Sequence, residues 1–434
     1  AIWGEVCNLA LPYGAARVHA IVDTNSHVPY LAHDGKRQAR RALVYRQAKL
    51  RPAHFMRAPF FEPAELAGIS ISDSVRTKAA VNALPEAFTS IFGQLVSAGN
   101  SPPIVVHFSH FVRRLAHQLA VARTKRIFHG GLSPSNLSLD GGWLDFDTIT
   151  GISDYGRIIM GGFDLNDFWS DHQDLASVID EFWWHIVKYF PDAKLQALPK
   201  NAFSEKFLEL LVQHEAREFA KLTGIPGKYI DLNAPDAIYR FYKVLKELMK
   251  AGNEVPFYFS PRHLWVMPLQ MGTYSVRKIL LASSAVRTKP KLEETLSSLI
   301  QDEKLRERFI TVYWLLRESF DIIRESCCSD IRWVFLQFNA IRRNSTVPAL
   351  YRNNLDKAIE EIISSDTEPA SFVESVLKEA TILLGSHKGS PLPLDYFGLE
   401  GVTLCSENGL SGRLTNQSLP IVAQRAADLI GSTK

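Results

Sequence analysis

His129-Gly130-Gly131-Leu132-Ser133-Pro134-Ser135-Asn136, continuing through Leu137-Ser138-Leu139-Asp140-Gly141-Gly142-Trp143-Leu144 to Asp145-Phe146-Asp147, is the stretch that decides the reading of this chain. A short loop with Gly and Pro leads into an apolar strand, a turn, a second strand and an acidic end. That pattern puts an amide, Asn136, and a carboxylate, Asp145, at the mouth of one small hairpin, nine residues apart in sequence. Mg²⁺ is a hard cation that takes oxygen ligands, few of them from protein when a phosphate supplies the others. Asn136 and Asp145 are therefore the candidate metal ligands and the candidate catalytic pair. The same residues also fit a Gly-rich hairpin with a surface Asp and Asn, so the motif needs its structural context.

Upstream, Phe108, Phe111, Val112, Leu115, Leu119 and Ala122 recur at helical spacing and predict an amphipathic helix ending just before His129. Helical pattern extends over about 64–125. Before it, residues 15–23, 27–32 and 41–47 read as strands, and Asp34-Gly35 is a hairpin-turn signal. A basic run follows that turn: Lys36, Arg37, Arg40, Arg41, Arg46, Lys49, Arg51 and Arg57. Its alternating part reads as a solvated strand face. Arg46, Arg51 and Arg57 flank apolar residues and lead toward Phe55-Met56 and Phe60-Phe61. They are candidates for forked contacts to phosphate oxygens, with surface ion pairing as the alternative.

Downstream, residues 148–162 are Gly-rich and predict a loop across the site. Asp164, Asp167, Asp171 and Asp174 recur at helix-like spacing and read as helix-start acids, with a second metal site as the minority reading. Leu175, Val178, Ile179, Phe182, Trp183 and Ile186 form the core stripe of the next helix. Further helices are predicted near 204–222, 235–250, 290–340, 349–364, 371–384 and 418–431. Ser371 with Glu374 reads as a capping box and Gly385 as a stop. Residues 253–290 carry Pro256, Pro261 and Pro268 and are compatible with a short strand pair.

Composition bounds the function classes. A length of 434 residues fits two or three domains. With 46% hydrophobic and 22% charged residues the chain reads as globular, and a net charge of +3 gives no argument for nucleic acid or membrane partners. Cys7, Cys327, Cys328 and Cys405 have no metal-ligand spacing, which fits a reduced, cytoplasmic protein. The chain opens on Ala1 and runs at once into patterned sequence, so an upstream portion is expected.

A long helix feeding a metal-binding loop is the build of a kinase-type C-lobe, where a catalytic-loop Asn and a following Asp hold Mg²⁺. A phosphotransferase loop carries its base Asp two residues after the His; here that residue is Gly131. Several pieces, in order, resemble the protein adenylyltransferase family of selenoprotein O. They are Ala16-Arg17 with Ala20-Ile21-Val22, Arg46 through Ala53-His54-Phe55-Met56-Arg57 to Phe60-Phe61, and Phe108-Ser109 with Val112 through the helix to His129-Gly130 and Asn136. The Asn136-to-Asp145 spacing matches as well. The resemblance covers roughly residues 1–190.

This resemblance implies an α+β, protein-kinase-like fold: a partial N-lobe over 1–100, a helical C-lobe over 101–255, and a mainly helical C-terminal extension over 256–434. It further implies ATP and Mg²⁺ as cofactors and transfer of AMP to a protein, peptide or small-molecule acceptor. Asn136 and Asp145 hold metal, Asp145 with Arg46, Arg51 and Arg57 holds nucleotide, and Glu5 stands where the family has an ion-pair Glu. The chain departs from the family at Ser135, where the family has an Asp thought to act as base. The family's Gly-rich segment and nucleotide-pairing Lys are expected before Ala1, and its C-terminal redox residue finds no counterpart in the given sequence. A carboxylate acceptor needs no base, which accommodates Gly131 and Ser135. The alternative is a catalytically inactive kinase-fold scaffold that binds a partner subunit.

Overall fold

The computed structural model describes residues 1–32, 35–58, 72–95, 101–155, 157–160, 164–167, 170–190, 192–225, 227, 230, 235–251, 257–258, 274–319, 329–365, 369–385, 397–400, 403–405 and 411–413. The architecture is mixed α+β, mostly helical, with small two- and three-stranded sheets. Among the described residues no helix is long and apolar enough to cross a membrane.

Helix α1 (Ile2–Ala10) buries Trp3, Val6, Cys7 and Ala10, a stripe at helical spacing. Strands β1 (Val18–Ala32) and β2 (Gly35–Arg46) form the expected antiparallel ribbon, with Ile21 opposite Val44 and Val22 opposite Leu43. Successive side chains alternate faces. Ile21, Val22, Leu43, Val44 and Tyr45 therefore put apolar surface on both sides of the ribbon, and all five are exposed. The expected turn at Asp34-Gly35 falls partly outside the described residues, as do Phe60 and Phe61.

The helical pattern over 64–125 resolves into α2 (Asp73–Phe92) and α3 (Pro103–Thr124). Proline at the first turn presets φ for α3 without losing an intrahelical bond. The stripe from Phe108 to Ala122 is buried as the spacing implies. Phe108 packs on Phe182 and Trp183 of α4 (Asp171–Tyr189) and on Phe203 of α5 (Ala202–Ala220). Between α3 and α4 lie β3 (Ile127–Phe128) paired with β4 (Thr150–Gly151), then β5 (Arg157–Met160) paired with β6 (Asp164–Asp167).

Two expectations are corrected. Asp164 and Asp167 lie on β6, so only Asp171 and Asp174 stand in the first turn of α4. Asp171 stands in that first turn as read, and is in addition buried against Arg123. The helix predicted from Ser371 runs Pro369–Leu384, because Pro369 supplies the preset first turn and leaves Ser371 inside it. The predicted helix at 418–431 and the Cys327-Cys328 pair lie outside the described residues.

Two buried clusters organise the core. The first joins α1 to α4 with the start of α5, and takes back Val347, Leu350, Leu355 and the helix Pro369–Leu384 from the far end of the chain. The second gathers Phe128, Ile152 and Tyr155 with the end of α5, α6 (Pro235–Ala251), the helices Val276–Ser284, Lys289–Ser297 and Glu303–Ser319, and Leu336. Residues on both sides of 255–256 thus share one core, and the C-terminal helices reach back to α1.

Candidate active site

The loop after α3 is built around His129, which is fully buried and whose Nε2–H donates to the Leu144 carbonyl at 2.9 Å. Burial, without a charged partner in contact, pulls its pKa down to about 4, so the ring is neutral and acts as a strut. From Asn136 the chain enters the expected hairpin. Leu137 bridges Trp143 and the Leu144 amide donates to the Asn136 carbonyl at 2.8 Å. Gly141, at φ +90°, makes the turn, and a Cβ there would lie 2.7 Å from Arg114 Cβ. Trp143 in turn bonds the corner between α1 and β1, through Gly14 and Ala16.

This register puts Asp145 one residue beyond the partner of Asn136. Asp145 is exposed and has φ +58°, one of three non-glycine residues in the left-handed region among those described. Such a conformation costs about 1–2 kcal/mol in an L-residue and persists only where neighbours impose it. The half-buried Asn136 amide donates from Nδ2 to the Gly131 carbonyl at 2.7 Å, which orients Oδ1 outward as an acceptor with the Ser135 hydroxyl 3.4 Å away. Two oxygen donors, one amide and one carboxylate, therefore stand at one edge of the hairpin. They fit a hard cation that completes its shell with phosphate and water. Among the described residues no three His, Cys, Asp or Glu side chains form a metal-binding group, so the fit rests on the Asn136–Asp145 pair.

The segment after β2 runs beside this hairpin. Leu139 N–H donates to Leu50 at 2.8 Å, Ala53 N–H to Pro134 at 3.1 Å, and Lys49 pairs with Asp140. Arg51 is thereby carried to the loop, where its Nη1 donates to the Ser135 carbonyl at 3.1 Å. Burial and the nearby Arg46 lower the Arg51 pKa while Asp145 raises it, so the three charges form one electrostatic group. Among the described residues no ion pair occupies Arg46 or the Asp145 carboxylate. His54 accepts the Arg51 amide on Nδ1 at 3.3 Å, and burial with Arg51 and Arg76 nearby lowers its pKa.

Two expected site residues are engaged elsewhere. Arg57 donates to Asp73 and, at 3.5 Å, to the Tyr189 hydroxyl, which commits it to α2 and α4 rather than to the hairpin mouth. Glu5 is gripped by Arg17, with Nε to Oε1 at 3.0 Å and Nη2 to Oε2 at 2.9 Å. Yet α1 does reach the site: a Cβ on Gly4 would lie 3.6 Å from the Phe146 ring. At Gly131 a Cβ would meet the Thr148 hydroxyl at 3.2 Å, so the position of the absent base is closely packed.

Sequence reading missed Thr148, which donates to the His129 carbonyl at 2.8 Å, and Arg352, which donates to the carbonyl of Asp147. The lone signal for Thr148 was its place two residues beyond Phe146; Arg352, more than two hundred residues on, gave none. No protein-family model matches the chain, and no curated protein matches it.

Proposed function

We propose that the chain is a kinase-like nucleotidyltransferase that uses ATP and Mg²⁺ to transfer AMP to a protein, peptide or small-acid acceptor. The observation that carries this reading is Asp145, held in a left-handed conformation beside the outward oxygen of Asn136, with Arg51 and Arg46 at the same edge. A positive φ at an exposed carboxylate beside a second oxygen donor supports a functional reading of the turn.

Each residue then has a task. Asn136 Oδ1 and the Asp145 carboxylate supply oxygen ligands to the cation. Arg51, anchored at Ser135, and Arg46 present guanidinium groups to anionic phosphate oxygens. Bound Mg²⁺ supplies charge neutralisation on the phosphates. In transfer, the acceptor oxygen bonds to the α-phosphorus and pyrophosphate leaves. A carboxylate acceptor arrives deprotonated, which suits a loop whose base position is Gly131.

The inactive-scaffold reading draws on that same glycine and on Glu5 being occupied by Arg17. It leaves the strained Asp145 without a purpose.

Calorimetric titration of ATP with and without Mg²⁺ tests the proposal. The account expects Mg²⁺-dependent binding that Asn136→Ala and Asp145→Ala abolish, that Arg51→Ala weakens by about tenfold or more, and that Arg57→Ala leaves unchanged. Absence of Mg²⁺-dependent binding, or its survival in both ligand variants, overturns it.

A further inference from the structure

The turn after Asp145 is held from the far end of the chain. Helix Arg352–Ser365 begins against it. The Arg352 amide donates to the Thr150 hydroxyl at 3.0 Å, Thr150 being fully buried, and Arg352 Nη1 donates to the Asp147 carbonyl. Asp356, one turn on, accepts from Arg352 Nε at 2.7 Å and fixes the guanidinium in that pose. Leu350 packs on Gly151, where a Cβ would come within 3.4 Å of its carbonyl.

The segment that presents Arg352 is itself anchored on the same loop. Arg126 donates to the Ser345 carbonyl at 2.6 Å, and Arg277 donates to the carbonyls of Asn344 and Ser153. Main-chain carbonyls that accept from guanidinium groups are charge-assisted acceptors, stronger than neutral pairs. Beyond Arg352, the helix Pro369–Leu384 joins the cluster containing Trp3 and Val6 of α1, whose Gly4 faces Phe146. The C-terminal helices therefore meet the turn directly at Asp147 and Thr150, and α1, on which the helix Pro369–Leu384 packs, lies against Phe146.

We propose that Arg352 is a positioning residue for Asp145: by tying Asp147 and Thr150 to the C-terminal helices, it imposes the left-handed turn that presents the carboxylate. Local bonds fix the two ends of this turn, through Leu144 to Asn136 and His129, Thr148 to His129 and Ile149 N–H to Phe146 at 3.4 Å, and Arg352 adds a long-range side-chain bond at the Asp147 carbonyl between them. The link makes the catalytic turn responsive to anything that shifts the helix Arg352–Ser365. The physical claim stands on these contacts; its consequence for metal binding rests on the function proposed above.

Hydrogen–deuterium exchange on the full chain, read by mass spectrometry, separates the two. Arg352→Ala is expected to speed exchange over 144–152 by about tenfold, the effect of losing one charge-assisted bond to a local opening. Exchange in α3 and α4 is expected to be unchanged. Asp356→Ala, which removes only the orienting partner, is expected to give a smaller increase over the same segment, and Arg352→Lys to restore part of the protection. Unchanged exchange over 144–152 in Arg352→Ala overturns the proposal. If Arg352→Ala loosens the whole chain, Asp356→Ala decides: a rise confined to 144–152 supports positioning, and no rise overturns it. Where the wild-type chain binds Mg²⁺–ATP, Arg352→Ala is further expected to raise the half-saturating Mg²⁺ concentration while leaving the number of ATP sites at saturating Mg²⁺ unaltered. A wild-type chain that binds no Mg²⁺–ATP defeats the nucleotide reading, and exchange still decides the role of Arg352.

Discussion

Two charged clusters flank the end of α3, and they are built on opposite plans. Arg123 lies inside the protein with 1% of its side chain exposed, bonded to Asp171 and Glu215, themselves 7% and 0% exposed. The Tyr242 hydroxyl donates to Glu215, and Lys246 stands 3.5 Å from it. Burial works to lower the Arg123 pKa, but attraction and hydrogen bonds to the two carboxylates together drive it up, so it stays charged. Across the same helix end, Asp145, Arg46 and Arg51 form a group in which the carboxylate and Arg46 have no ion-pair partner among the described residues. Charges removed from water must satisfy one another, since an uncompensated buried ion is strongly destabilising. Charges left open at a formed edge retain their capacity for a ligand. The first cluster is a fastening between α3, α4 and α5; the second leaves an exposed carboxylate and Arg46 outside any ion pair among the described residues, which is why the proposed function is placed there.

Removing a member of each cluster gives the largest contrast. Arg123→Ala leaves the buried Asp171 and Glu215 carboxylates without their shared guanidinium and is expected to lower the unfolding free energy by about 3–5 kcal/mol, read from urea denaturation. Asp145→Ala keeps a Cβ at the same positive φ and breaks no ion pair, so its stability is expected to stay within about 1 kcal/mol of wild type. Equal losses in the two variants would erase the distinction.

A smaller effect separates the strut from the ligands by pH. The His129 pKa is lowered to about 4 by burial, against an unfolded value near 6.5. Between those values the unfolded chain binds more protons than the folded one. Stability is therefore full above about pH 6.5 and falls as the pH drops toward 4, by on the order of 3 kcal/mol at most from this residue. His214, also lowered to about 4 by burial and the stacked His117, adds a slope of the same sign. His129→Gln keeps a donor for the Leu144 carbonyl and cannot titrate, so its stability profile should be flatter over this range than that of the wild type. An identical profile would mean that His129 does not carry the effect.

What could be read in advance follows the range of the interactions. The hairpin from Asn136 to Asp145, the ribbon of β1 and β2, and the stripes of α3 and α4 are set by neighbours a few residues apart, and periodicity and turn chemistry report such contacts. Asp171 was read correctly as a helix-start acid, but its ion pair was not foreseen, because its partner Arg123 lies forty-eight residues upstream and a carboxylate in a first helical turn has a sufficient local explanation. Arg57 and Arg51 looked alike in sequence; only the docking of residues 49–53 along the loop 134–139 sends one to Ser135, while Asp73 and Tyr189 take the other. Arg352 had no local signature, because the groups it bonds, the Asp147 carbonyl and the Thr150 hydroxyl, lie about two hundred residues upstream.

Anomalous scattering from crystals of the chain grown with Mn²⁺ and ATP tests the central claim most directly, Mn²⁺ replacing Mg²⁺ as a hard, oxygen-seeking cation. The account predicts a peak ligated by Asn136 Oδ1 and the Asp145 carboxylate, with the triphosphate turned toward Arg51 and Arg46. A peak bound by other residues, or nucleotide seated without contact to either ligand, would contradict it.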